Sequence, residues 1–194
     1  MSQREARAST RGAPELVSLE PGTNLLVAGP VMTGKRTLML SLLADRLADG
    51  GGGVVVTTRK SARTTERAVA DLLGRDPGDD LAVVDFTGVE EWSRGRARTA
   101  GRRRLSGPGD LTGVGIGVTE FLRRLHADGV DGVVGLHSLS TMLMYADLRR
   151  LFQFVHVLTG RVDATGFASV VTVDDDVVSE RESTVLRRAF DAVL

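Results

Sequence analysis

Short apolar runs alternate along this chain with longer stretches in which Leu, Val or Phe recur every three or four positions. The first run, "NLLVAG" (24–29), predicts a buried strand, and "RTLMLSLLADRLADG" behind it carries Leu38, Leu42, Leu43 and Leu47 at helical spacing. Gly50 to Gly53 are expected to stop that helix. The β-branched "VVVTT" (54–58) predicts a second strand, and "SARTTERAVADLLG" (61–74) a second helix ended by Gly74 and Pro77. A third strand is expected over "LAVVDF" (81–86), followed by an irregular segment from 87 to 111. "DLTGVGIGVTEFLRRLHADG" (110–129) recovers a helical pattern in its second half, with Phe121, Leu122 and Leu125 on one face. "VDGVVGLHS" (130–138) reads as a strand. "STMLMYADLRRLFQFVHVLTG" (140–160) reads as the longest helix, burying Leu148, Leu151, Phe152, Val155 and Leu158. A fifth strand, "FASVVTV" (167–173), precedes a closing helix, "SERESTVLRRAFDAVL" (179–194), opened by a capping box of Ser179 and Glu182.

Strands alternating with helices predict an α/β fold with a mainly parallel sheet and helices on both faces. Residues 1–14 read as a disordered polar tail and 15–194 as a single domain. At 194 residues, 42% hydrophobic and 26% charged, the chain is long enough to bury a substantial core and is composed like a soluble protein. No apolar run reaches the roughly 18 to 20 residues that a membrane span needs. The opening "MSQREARASTRG" lacks the hydrophobic stretch of a signal peptide, so a cytoplasmic location is expected. The absence of cysteine excludes disulfides, thiolate metal sites and thiol catalysis. A formal net charge of zero gives the whole chain no general attraction to nucleic acid or anionic membranes.

Chemistry enters at the turn from the first strand into the first helix, "GPVMTGKRTL" (29–38). Gly29, Gly34 and Lys35 have the spacing of the phosphate-binding loop G-x-x-x-x-G-K-[ST], a P-loop. Glycines there let backbone N–H groups curl around phosphate oxygens, and the following helix points its positive end at the same anion. The lysine reaches the β- and γ-phosphates, and the Ser or Thr hydroxyl that normally follows binds Mg²⁺. Here that residue is Arg36, which has no oxygen to offer a metal. Thr37 lies about 100° further around the helix. Met32 replaces a glycine that many such loops carry and is expected to narrow the cradle. Lys35 and Lys60 are the only lysines in the chain, which makes a lysine placed directly after a glycine conspicuous. Gly29, Gly34 and the backbone of Pro30, Val31, Met32, Thr33 and Lys35 are therefore expected to surround a β-phosphate. Lys35 would neutralise it, with Arg36 or Thr37 assisting.

The apolar run ending in His137-Ser138-Leu139-Ser140 resembles the strand of RecA-superfamily proteins of the KaiC type, which ends in Asp-Ser-hydrophobic-Ser. Taken with "AGPVMTGKRTL", "PGDLTGVGIGVTEFL" and "HSLSTMLMYADLRRLFQFVHVLTGR", the chain from about Leu16 onward is similar to the KaiC-like, HTR-like proteins of halophilic archaea. The resemblance implies a RecA-like P-loop NTPase core with His137 standing where the metal-binding aspartate belongs. His137 and Ser138 are expected near the edge of the site. It also implies that Arg59 and Lys60, after the second strand, occupy the place of the water-activating glutamate. With hydroxyl, metal-binding acid and base all missing, ATPase turnover is not expected, because each acts at a different point of phosphoryl transfer.

ATP or ADP is the expected ligand, without a requirement for Mg²⁺, and the leading reading is a nucleotide-responsive regulatory module. Three rivals stay open at this level. One is a protein-interaction scaffold that has lost its ligand, and self-association is implied because RecA-like proteins stack as rings or filaments. Another is a weak Mg-ATPase that draws its acid from Asp85 or Glu90. The third is nucleic-acid binding through "RGRARTAGRRR" (94–104); it is disfavoured, since that run has no interleaved aromatic and only Trp92 precedes it. "GVGIG" (113–117) reads as a weak second anion nest. His126, His137 and His156 stand alone, so no metal site is expected.

Overall fold

The computed structural model describes residues 19–86, 105, 107 and 109–194. The tail 1–14, Glu90, Trp92 and the arginine run 94–104 lie outside the described residues. Among the described residues, six strands form one parallel sheet: β1 (Asn24–Gly29), β2 (Gly52–Thr57), β3 (Leu81–Asp85), β4 (Gly132–His137), β5 (Ala168–Asp174) and β6 (Ala192–Val193). Their order across the sheet is β3-β2-β4-β5-β1-β6. Helices α1 (Lys35–Ala48) and α2 (Ala62–Leu73) cover one face. Helices α3 (Leu111–Ala127), α4 (Leu139–Met142), α5 (Leu148–Thr165) and α6 (Glu180–Arg187) cover the other.

This layering is written into the strands residue by residue. Leu25 and Val27 pack under α1 with Met39, Leu40, Leu43 and Leu47, while Leu26 between them faces the α3–α5 layer. Val55 and its neighbours Val54 and Val56 divide in the same way. Successive side chains point to opposite faces, so a strand covered on both sides must be apolar throughout rather than alternating. Among the described residues, no helix is long and apolar enough to cross a membrane.

Four boundaries differ from the sequence expectation, each for a physical reason. Gly50 alone provides the left-handed stop after α1 (φ 84), while Gly52 and Gly53 belong to β2. A Cβ on Gly52 would lie 2.5 Å from Leu125 Cδ2, so the glycine is there to let α3 close onto the sheet. Gly52→Val should therefore destabilise the fold by about 1 to 3 kcal/mol through overpacking, measurable by urea unfolding. "GVGIG" lies inside α3, which begins at Leu111, so it forms no anion nest. Asp110 starts that helix by accepting from Gly113 N.

The expected long helix over 140–160 is broken between α4 and α5. The Asp147 carboxylate accepts from Arg150 N at 2.9 Å and starts α5 afresh, a local bond that competes with continuing the helix. The buried stripe of α5 is Leu151, Val155, Leu158, Thr159 and Val162; Phe152 is only half-buried and stacks on His156. Finally, α6 keeps its capping box but ends at Arg187. Ala28 N donates to Leu194 O and Leu194 N to Leu26 O, so the chain end satisfies the outer edge of β1 as a sixth strand.

Candidate functional site

Strand β1 leads through α1 on one face, whereas its neighbour β5 leads through α6 on the other. Strands β2 and β4 diverge likewise, through α2 and α5. Such divergences open crevices beyond the carboxyl ends of the strands, where α/β sheets bind ligands. Gly29, Thr57, His137 and Asp174 end β1, β2, β4 and β5, and the register sets Gly29 beside Asp174 and Thr57 beside His137.

The loop 29–35 wraps the first crevice. Gly34 caps α1 in a left-handed conformation (φ 87), and the first turn of α1 holds no acidic residue. Among the described residues, the backbone N–H groups of Met32, Thr33, Gly34, Lys35 and Arg36 meet no acceptor. They sit at the positive end of a 14-residue helix, where an anion is favoured. Thr33 Oγ1 donates to Pro30 O at 2.9 Å and closes the loop on itself. Met32 does not narrow the cradle: its backbone is left-handed (φ 65), which turns its side chain outward to 96% exposure.

Lys35 is buried and its ammonium turns back into the loop. It donates to Gly29 O at 2.8 Å, to Pro30 O and to Thr33 Oγ1 at 3.3 Å, and it pairs with Asp174 Oδ1 at 3.0 Å. Asp174 is held in turn by Ser140, whose Oγ accepts from Asp174 N at 2.7 Å and donates to Asp174 O. Two residues on, the exposed Asp176 accepts from Val31 N at 3.1 Å. An acidic run at the end of β5 thus grips the loop at two points.

Arg36 is half-buried and reaches α2, donating from Nη2 to Thr65 Oγ1 at 3.3 Å. Burial pulls its guanidinium pKa down from the usual value. Thr37 is exposed. His137 donates to or accepts from Thr172 Oγ1 through Nδ1 at 2.7 Å. Burial is the main cause that lowers its pKa to about 4; Asp174 opposes that shift, while Arg36, Arg59 and Lys35 add to it. His137 is therefore neutral at pH 7, within electrostatic range of the lysine and both arginines. Ser138 is fully buried, with its N–H donating to Thr58 Oγ1 and its hydroxyl accepting from Thr141 N. It serves the backbone at the β2–β4 crevice and is closed to a ligand.

The structure brings Lys35, Arg36 and His137 together at the carboxyl end of the sheet, and leaves Asp85 at that end but away from the loop. Asp85 ends β3, four strand positions from β1, or roughly 19 Å at about 4.8 Å per strand. The acids that do face the loop, Asp174 and Asp176, were missed by sequence reasoning. Their only signal is the run "DDD" closing an apolar strand, and its place beside β1 depends on strand order. His126 lies against the Phe167 ring. Among the described residues, no three His, Asp or Glu side chains are grouped to hold a metal ion.

The chain is similar in fold to a KaiC-like protein of the hyperthermophilic archaeon Pyrococcus horikoshii OT3, at 17% identity and a TM-score of 0.58. The match covers 89% of this chain and 70% of that one. At that identity the likeness speaks for the fold, a RecA-like α/β core, and for nothing finer. No curated protein matches. A match over residues 22–194 shows that the chain belongs to the family of unknown function DUF7504.

Proposed function

We propose that this protein binds the phosphates of a nucleotide, ATP or ADP, without a divalent metal, and acts as a nucleotide-responsive regulatory module without ATPase turnover. The observation that carries the reading is the row of N–H groups from Met32 to Arg36 that meet no acceptor among the described residues, at the start of α1 and around buried Lys35. A backbone cradle of this kind recognises phosphate oxygens with little dependence on the rest of the ligand.

Magnesium asks for oxygen ligands in octahedral array, the two motif positions that would supply them hold nitrogen groups, and the Asp174 carboxylate beside the loop is already paired with Lys35. Arg36 and His137 stand where a hydroxyl and a carboxylate would serve it, one cationic and the other neutral. The cationic groups of Arg36 and Arg59 can offset phosphate charge in the metal's place. Their position supports the likeness to HTR-like proteins with degenerate nucleotide motifs, and supports binding without hydrolysis. Calorimetric titration with ATP and ADP, in EDTA and in Mg²⁺, tests this. Binding of equal strength in both buffers, lost in Lys35→Ala, is the expected result. Heat that appears only with Mg²⁺, with release of phosphate, would overturn it.

One observation favours a second reading, a protein-interaction scaffold with no ligand: Lys35 already has four acceptors in the folded chain. Absence of heat with either nucleotide in either buffer is its signature.

A further inference from the structure

A phosphate-binding lysine needs its charge available to the ligand, yet the Lys35 ammonium is spent on Asp174. Both side chains are nearly buried, at 5% and 7% exposure, so the pair is poorly screened by water and salt. The geometry points to Asp174 as an intramolecular counter-anion that competes with the ligand for Lys35, holding the site in a self-closed state. This inference rests on the phosphate-binding reading above and adds a regulatory element to it.

Three features of the fold fit that role. Asp174 lies beside Gly29 in the strand register, so its carboxylate is presented across the mouth of the loop. Ser140 fixes the backbone of Asp174 from α4 with two hydrogen bonds, so the carboxylate keeps its place without Lys35. Asp176 holds Val31 N from the same connection, which ties the shoulder of the loop to the segment that carries Asp174. Ligand entry therefore exchanges one ion pair for another: Lys35 leaves Asp174 for a phosphate oxygen. Asp174 is then left with a negative charge facing the incoming anion, within electrostatic range of His137.

Removing the counter-anion should free the cation. In Asp174→Asn the amide oxygen can still accept from Lys35, but the buried positive charge is no longer neutralised, and an entering anion takes over that function. Wild type and Asp174→Asn are titrated with sodium tripolyphosphate in EDTA buffer, and their melting temperatures are followed over the same concentrations. The expected result is affinity roughly tenfold higher in the variant, equal to about 1.4 kcal/mol. A lower melting temperature without ligand should recover more steeply than in wild type as ligand is added. The gain should vanish in Lys35→Met/Asp174→Asn. Should Asp174→Asn not fold, the exposed Asp176→Asn serves instead, with affinity raised about threefold by loss of the second carboxylate.

Equal or weaker binding in the variant, with wild type still binding, overturns the counter-anion and leaves the phosphate reading standing. Unchanged affinity in Asp176→Asn, when it alone folds, does the same. No binding in any of these proteins overturns both. Binding that appears only in Asp174→Asn supports the closed state directly.

Discussion

Lys35→Met should lower the free energy of unfolding by about 3 to 5 kcal/mol, because it leaves the Asp174 carboxylate buried without its cation. Methionine keeps most of the aliphatic stem, so the loss is electrostatic rather than a cavity. A lysine that merely waits in solvent for phosphate could be replaced at almost no cost, since exposed pairs contribute about 0 to 1 kcal/mol. The difference follows from geometry: Nζ lies 3.0 Å from Asp174 Oδ1, with both side chains at most 7% exposed. Asp174→Asn added to Lys35→Met removes the stranded charge and should recover most of the loss. Urea unfolding of the two single variants and the double gives the coupling directly. A single-variant loss below about 1 kcal/mol would mean that water reaches the pair and that it contributes as little as one on the surface.

The second large effect is a dependence on pH. His137 has a folded pKa of about 4, pushed down mainly by burial, against an ordinary value of 6.5. Between those two values the unfolded chain binds a proton that the folded chain refuses, so stability is complete above about pH 6.5 and falls as pH drops through the folded value. A shift of this size corresponds to about 3 kcal/mol lost between pH 6.5 and pH 4. Other acids titrate in the same window, so the measure is the difference between wild type and His137→Gln, which has no titrating group. Asp174 works against the shift, while Arg36, Arg59 and Lys35 work with it. Parallel stability curves for the two proteins would show that the imidazole takes up its proton freely in the fold.

The elements that carry the site were legible in the sequence because each obeys a local rule. "NLLVAG" is apolar without alternation, as a strand covered on both faces must be, and the Gly29–Lys35 spacing fixes a strand-to-helix turn whatever surrounds it. The capping box at Ser179 and Glu182 is equally local and forms as expected. Elsewhere the same rules failed in informative places. Apolar spacing continues across residues 143–147, and only the Asp147 cap interrupts it. "FDAVL" carries an acceptable helical pattern, but the unsatisfied edge of β1 captures those residues as β6. Gly52 resembles part of a helix stop until Leu125, more than seventy positions along the chain, comes down on it.

For the site itself, the chain determined by composition and spacing that a lysine would stand at the head of a helix behind a glycine loop. That follows from residues a few positions apart, within reach of a single turn. What that lysine touches was settled by strand order: β5 comes to lie beside β1, so an aspartate 139 positions away in the chain ends 3.0 Å from its ammonium. Burial beside that junction then keeps His137 neutral at pH 7. Hydrophobic periodicity carries no information about which strands become neighbours, and so the partner of Lys35 could be found only in the folded chain.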